Sequence, residues 1–196
     1  MKILITGGNG FIGANLIIEI LKKYKKFKIL NLDCNTYASN IKSLNFLKKY
    51  KNYGSANLNI CHFNILKKKF LSFRPDVVLN LAAETHVDNS IKSPKNFIET
   101  NIIGTYNLLE ISKEYFKTKK NKFLFVQIST DEVYGDLSFK RSSFKESSLI
   151  NPSSPYSASK ASGDHLVNSY FRTYKLPVII TRCSNNYGPY QSLEKL

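Results

Sequence analysis

Five side chains in two short stretches have the types and spacing of a reaction centre. Thr130, Asp131 and Glu132 follow the apolar run 123–128, and Tyr156 stands four residues before Lys160. A tyrosine that works as a base near neutrality can take the proton of an alcohol while a hydride leaves the same carbon. A free phenol ionises near pH ~10, so its anion must be stabilised by roughly 3 pH units, about 4 kcal/mol. Lys160 lies at i+4 on the same helix face and supplies positive charge, to which the cationic ring of an oxidised nicotinamide would add. Alcohol oxidation by itself needs no further acids. Two carboxylates beside a hydroxyl at the end of a strand therefore point to a second operation on the substrate, the removal of water. Successive residues of a strand face opposite ways, so Asp131 and Glu132 reach one substrate only if the backbone turns irregular at Thr130.

The elements that must position these groups begin with a site for the hydride acceptor. Residues 2–6, KILIT, read as a buried parallel strand, and Gly7, Gly8, Gly10 and Gly13 follow in a loop that opens the helical pattern 14–21. Glycines let the loop turn tightly and approach a pyrophosphate, and the free N–H groups and dipole of the helix N-terminus favour negative charge. A second strand, 28–32, ends in Asp33, about 20 residues beyond the last glycine, where a carboxylate accepts from ribose hydroxyls and repels a 2′-phosphate. The pattern favours NAD over NADP.

Strand-like and helix-like segments then alternate, with no repeat or low-complexity linker. The periodicity predicts a helix within 41–51, a strand at 58–63, a short helix around Lys67, a strand at 76–81, a long helix from the Pro94 region to Lys117, a strand at 122–128, a helix from Tyr156 to Tyr174 and a strand at 178–181. Pro152 and Pro155 suit the approach and first turn of that last helix. The order is that of an α/β doubly wound parallel sheet, a Rossmann fold, in which ligands sit at the carboxyl ends of the strands. Gly7, Asp33, Asn64, Ala82, Ser129 and Cys183 all fall at such ends, so the separated motifs are expected to share one crevice.

A chain of 196 residues with 42% hydrophobic content supports one compact domain. It opens directly on a core strand, so no signal peptide is expected, and no apolar stretch approaches the ~20 residues that span a bilayer. A cytoplasmic protein is expected. Cys34, Cys61 and Cys183 are scattered singly, which suggests neither a disulfide framework nor a metal site. The net charge of +15 raises the possibility of nucleic-acid binding, with lysine bunches at 22–26, 48–49, 67–69 and 119–120 near Tyr24, Phe27, Tyr50 and Phe70. Arginine is scarce, however, only Arg74, Arg141, Arg172 and Arg182, and the bunches fall near predicted helix ends, where cations complement the dipole. No nucleic-acid partner is expected.

The glycine loop, the Tyr-x-x-x-Lys helix and the strand order resemble the extended short-chain dehydrogenase/reductase superfamily. Four longer stretches, 81–88 (LAAETHVD), 97–106 (FIETNIIGTY), 128–136 (ISTDEVYGD) and 183–190 (CSNNYGPY), are similar to the dTDP-glucose 4,6-dehydratase family within it. Sugar-nucleotide epimerases of the superfamily usually lack the adjacent acid pair after Ser-Thr. The resemblance implies that Tyr156, with Thr130 and Lys160, takes the C4 hydroxyl proton while hydride passes to NAD. Glu132 then removes the C5 proton and Asp131 protonates the departing C6 hydroxyl. The hydride returns to C6 and C5 is reprotonated, giving a 4-keto-6-deoxy sugar nucleotide. A neutral Asp131 beside an ionised Glu132 accords with like charges and burial raising one carboxyl's pKa.

The resemblance further implies cofactor contacts at Gly7, Gly10, Phe11, Ile12, Gly13, Asp33, Cys34, Asn35, Thr36, Asn64, Ile65, Ala82, Ala83, Thr100, Tyr156, Lys160 and Asn186. Thr85, Thr130 and Asn185 match positions facing the sugar nucleotide. Two positions depart from the pattern: Asn64 stands where relatives usually carry Asp, and Asn89 where they usually carry Arg. Family members continue beyond the residues matching 194–196 into a smaller domain that grips the nucleotide, so residues 1–196 are expected to form the NAD-binding domain with most of that second domain missing. Homodimerisation through the helices predicted at 94–117 and 156–174 is also implied. Another sugar-nucleotide dehydratase or epimerase, and a catalytically silent NAD-binding chain, are the alternatives.

Overall fold

The computed structural model describes residues 1–40, 44–119, 122–137 and 143–191. Six parallel strands form one sheet: β1 (Lys2–Thr6), β2 (Lys28–Asp33), β3 (Tyr53–Asn57), β4 (Val77–Asn80), β5 (Leu124–Thr130) and β6 (Val178–Cys183). Their spatial order is β3-β2-β1-β4-β5-β6. The order reverses direction between β1 and β4, which opens a crevice above their carboxyl ends.

Helices cover both faces because the central strands are apolar on both sides. In β1, Ile3 and Ile5 pack under α1 (Phe11–Lys23) with Ile17, Ile18 and Leu21. Leu4 points the other way, into a core with Leu66 and Phe70 of α2 (Phe63–Phe73) and Leu108 and Ile111 further on. Phe70, Tyr115 and Phe123 meet edge-on or tilted within it, at centroid separations of 5.3–6.3 Å. Two short helices, α3 (Val87–Lys92) and α4 (Pro94–Phe97), follow β4. The path then widens to π geometry over Ile98–Gly104 and continues as α5 (Thr105–Lys119). A 3₁₀ turn (Asp131–Tyr134) follows β5, and α6 (Pro155–Tyr174) precedes β6.

Most predicted elements stand within two or three residues of their expected bounds, and three differ: the strand at 58–63, the long helix from Pro94 and the helix within 41–51. The strand expected at 58–63 is Tyr53–Asn57, whose sequence YGSAN carries no apolar alternation because it is the edge strand. Leu58 and Ile60, which suggested the strand, are buried in the loop after it. The long helix from Pro94 is broken by its π segment, where Gly104 lies against Ile60 so tightly that a Cβ would come within 2.4 Å of that side chain. Lys67, Lys68 and Lys69 lie in the middle of α2, not near a helix end. Of the helix expected within 41–51, residues 41–43 lie outside the described residues, as do Arg141, Lys120 and 194–196; a 3₁₀ stretch covers Asn45–Lys49.

Candidate active site

The glycine loop is built largely from backbone approach. Gly7 has φ +69°, and a Cβ there would lie 2.6 Å from the backbone nitrogen of Ala82 at the end of β4. Gly13 fits under the loop, where a Cβ would meet the Gly7 carbonyl oxygen at 2.5 Å and the Gly8 Cα at 2.6 Å. Gly10 differs. A Cβ on it would meet only the Gly7 oxygen, at 3.4 Å, so its missing side chain serves no tight internal packing. It stands at the N-cap of α1, which has no side-chain cap and no acidic residue in its first turn. An uncapped helix N-terminus behind an open glycine fits a pyrophosphate. Phe11 and Ile12 begin that helix, and Ile12 is 40% exposed.

A web of amides that sequence reading missed holds the loop to β2. Asn31, buried in the strand, accepts from the Gly8 N–H at 3.1 Å and donates to Asn9 Oδ1 at 2.8 Å. Asn9 donates in turn to Asn35 Oδ1 at 2.7 Å. The signal was an Asn inside the otherwise apolar KILNLD. Asp33 accepts from the N–H groups of Asn9 and Asn35, at 2.9 and 2.8 Å, and from the Ser39 hydroxyl at 2.9 Å. A carboxylate offers about four acceptor sites, so one remains for a ribose hydroxyl. Asn35 adopts φ 56°, a region asparagine tolerates. Cys34 and Thr36 flank it on the exposed rim, and burial pushes the Cys34 thiol above its ordinary pKa.

Across the crevice, Asn64 and Ile65 start α2, both exposed, Ile65 by 56%. Ala82 and Ala83 line the half-buried segment after β4, where the Ala82 N–H donates to the Thr6 hydroxyl at 3.2 Å. Asn101, also missed, ties this segment to α6. It accepts from the Glu84 N–H at 2.9 Å, donates to the Glu84 carbonyl at 3.0 Å, and donates to the Ser159 hydroxyl at 2.8 Å. The widened helix that carries it also holds Thr100. Asn185 and Asn186 are exposed on the segment after β6, which folds back to α1 through a bond from Asn15 Nδ2 to the Pro189 carbonyl, 2.8 Å.

The catalytic candidates meet where β5, its 3₁₀ turn and α6 converge. Strand geometry ends at Thr130, whose hydroxyl caps the turn by accepting from the Glu132 N–H at 3.2 Å. The turn releases Asp131 and Glu132 from strand alternation, as the pair requires; both are half-buried. A capping box between Ser154 and Ser157 starts α6, with Pro155 in its first turn. The Tyr156 N–H donates to Ser90 of α3 at 3.1 Å, and Phe97 meets the phenol ring edge-on at 6.3 Å.

Charge in this region is under tension. Burial and the carboxylate of Glu132 push the Tyr156 pKa well above the ordinary phenol value, with Cys183 and Asp131 adding; the Thr130 hydroxyl opposes them by hydrogen bonding. Lys160, 5% exposed, donates to the Ile128 carbonyl at 2.7 Å, and burial pushes its pKa down to about 8 despite the opposing charge of Asp164. The protein alone therefore holds a neutral phenol and an easily deprotonated amine. A phenolate base at neutral pH requires further positive charge, of the kind an oxidised nicotinamide carries. Thr85 lies half-buried one residue beyond the Glu84 backbone that Asn101 clamps.

The GDP-mannose 4,6 dehydratase family model matches residues 4–195. The chain belongs to that family. Among curated relatives, dTDP-glucose 4,6-dehydratase of Haemophilus influenzae is 50% identical over 200 residues, covering all of this chain and 59% of the relative. The chain therefore spans under two thirds of that relative's length. The NAD complex of dTDP-glucose 4,6-dehydratase from Bacillus anthracis superposes with a TM-score of 0.87 at 43% identity, covering 100% of this chain and 58% of that one. UDP-glucose 4-epimerase from Thermotoga maritima, solved with UDP-glucose, matches at a TM-score of 0.85 and 30% identity, covering 98% and 58%. The same fold is thus found in proteins named for more than one reaction. Among the described residues, no helix is long and apolar enough to cross a membrane.

Proposed function

We propose that the chain is the NAD-binding and catalytic part of a dTDP-glucose 4,6-dehydratase, a hydro-lyase that makes dTDP-4-keto-6-deoxyglucose and water. The observation that carries the reading is the capped turn at Thr130, which brings both Asp131 and Glu132 to act electrostatically on the Tyr156 phenol. An alcohol dehydrogenase or epimerase has no use for two such acids. The names of the relatives support the nucleotide and the sugar.

Gly7, Gly10 and Gly13 would cradle the pyrophosphate, Asp33 with Cys34, Asn35, Thr36, Asn64 and Ile65 the adenosine end, and Ala82, Ala83, Thr100, Tyr156, Lys160 and Asn186 the nicotinamide end. When bound, NAD would supply a hydride acceptor that returns its hydride within each turnover. Tyr156 takes the C4 hydroxyl proton, with Thr130 hydrogen-bonded to its oxygen. The resulting 4-ketone acidifies C5, whose proton Glu132 removes. Asp131 protonates the leaving C6 hydroxyl and water departs; the product then needs the returned hydride at C6 and a proton at C5, where the acid formed on Glu132 would supply it. Thr85, Thr130 and Asn185 orient the hexose.

Thr85, Thr130 and Asn185 with the catalytic residues reach the hexose, and the grip on the nucleotide is assigned to the family length this chain does not span. The isolated chain is expected to bind NAD and to turn over dTDP-glucose weakly or not at all. A homodimer is proposed through α5, α6 and the π segment, which expose Ile103, Tyr106, Phe171 and Tyr174 by 43–50%. An enzyme using these metabolites belongs in the cytoplasm.

Incubation with NAD and dTDP-glucose, UDP-glucose or GDP-mannose, followed by mass detection of an 18-dalton loss, tests the substrate; the GDP arm answers the description of the matching family model. The assay is run on the chain alone and on a fusion restoring the full length of a relative. Loss of water from dTDP-glucose by the fusion is expected. Epimerised product without mass loss, or NAD binding with no chemistry in either form, overturns the reading.

A further inference from the structure

A part-buried ion pair links β6 to α6, and a further bond from the same arginine reaches the 3₁₀ turn; nothing in the proposed chemistry uses either. Arg182, on β6, donates through Nε to Asp164 Oδ2 at 2.9 Å and through a second nitrogen to the Tyr134 hydroxyl at 2.8 Å. Its guanidinium also lies 5.1 Å from the centre of the Tyr134 ring. Tyr134 closes the 3₁₀ turn that begins with Asp131 and Glu132. Asp164 lies on α6 one turn beyond Lys160 and two beyond Tyr156, so all three share a helix face. Its side chain has no exposed surface.

An isolated ion pair this deep is seldom favourable for stability, because desolvation offsets the attraction. Here the planar fork spans two partners that a lysine ammonium could not hold in the same geometry. The second oxygen of Asp164 and the Ser129 hydroxyl are both buried without a hydrogen-bond partner among the described residues, and Ser129 and Lys160 both act to favour the ionised Asp164 carboxyl. Lys160 in turn faces Asp164 on its own helix and Cys183 on β6, while its proton is given to Ile128 of β5.

We propose that Arg182 is a positioning residue, a brace that fixes the acid-bearing turn to the Tyr156/Lys160 helix through Tyr134 on one side and Asp164 on the other. Its catalytic meaning rests on the dehydratase reading, but the brace itself is tested without substrate. Removing the fork frees the turn and the helix together; removing either partner frees one of them. Asp164 has a second duty as the nearby negative charge that keeps Lys160 protonated.

Hydrogen exchange read by mass spectrometry, on the whole chain, gives the test. Arg182→Lys should speed exchange roughly ten-fold at amides 131–135 and in the first half of α6, while β1 and α1 stay protected. Tyr134→Phe, which deletes one hydroxyl, should affect 131–135 alone. Asp164→Asn should loosen α6 and lower the pH midpoint of Lys160, followed by its ¹³Cε shift, by about one unit; Tyr134→Phe should leave that midpoint where it was. Uniform loosening of the whole sheet in Arg182→Lys, no change at either element, or an unmoved Lys160 midpoint in Asp164→Asn would each overturn the proposal. If Asp164→Asn does not fold, the contrast between Arg182→Lys and Tyr134→Phe decides, since a brace requires the two patterns to differ at α6.

Discussion

The two halves of the crevice are made of different materials. On the β1–α1–β2 side, the loop is shaped by glycine backbone and a web of neutral amides around Asn31 and Asn9, and its outer residues are exposed. On the β5–α6 side, the groups are charged or ionisable and buried: Tyr156 and Lys160 are 7% and 5% exposed, and each is shifted toward its neutral form. Recognition of a ligand that brings its own charge can rest on vacant space and N–H groups. Proton transfer cannot, and on the proposed catalytic side burial imposes an electrostatic cost on Tyr156 and Lys160.

That contrast can be broken most forcefully at Tyr156. In a preparation that dehydrates dTDP-glucose, Tyr156→Phe should cut C4 oxidation roughly 10³-fold, followed as reduced-nicotinamide absorbance, with the melting temperature unchanged or higher. A parallel loss of folding would mean that the phenol is structural. Next in size, Glu132→Gln should slow water elimination roughly 10²-fold while leaving the first oxidation, so that reduced cofactor accumulates within a turnover. Equal loss of both steps would contradict the division of labour between Tyr156 and the acid pair.

On the recognition side, the glycines separate fold from binding. Gly13→Ala presses a methyl into backbone and should cost about 2–3 kcal/mol in a urea melt. Gly10→Ala meets a single atom at 3.4 Å and should cost under about 1 kcal/mol, yet weaken NAD binding roughly ten-fold by calorimetry. If both variants melt alike, Gly10 is packing and not a ligand gap.

The smallest expected effect sharpens the comparison through pH. Lys160 has a folded pKa of about 8 against 10.5 for the ordinary lysine, so between those values the unfolded chain binds the extra proton. Stability from this group therefore rises with pH over that window, and the penalty is fully present below pH 8. Lys160→Met should be more stable than the parent by on the order of 1–2 kcal/mol at pH 7, with the gap closing as pH rises toward 10. An equal gap across that range would mean that the ammonium is not strained by burial.

How much of this was legible in the sequence follows the same division. Strand periodicity, the glycine spacing and Tyr-x-x-x-Lys are short-range patterns, and they located five of six strands, α1, α6 and the catalytic candidates. β3 was misplaced because an edge strand need not be apolar, whereas the buried loop residues Leu58 and Ile60 mimicked one. The clamp of Asn101 on Glu84 joins residues 17 apart in sequence, and no local signal announces it or the π widening that carries Asn101. Nor does sequence reveal that the Lys160 proton goes to Ile128, since the partner is a carbonyl that every residue possesses.

Among the described residues, β6 pairs with β5 alone, and its Ile179 is 47% exposed. Among the described residues its other margin carries a row of peptide groups suited to zipping onto an extended segment that comes near. In concentrated solution this seam, rather than the lysine-rich surface that keeps copies apart, should govern how the polypeptide clumps. A single charge written at Ile179 would be the simplest way to keep it dispersed.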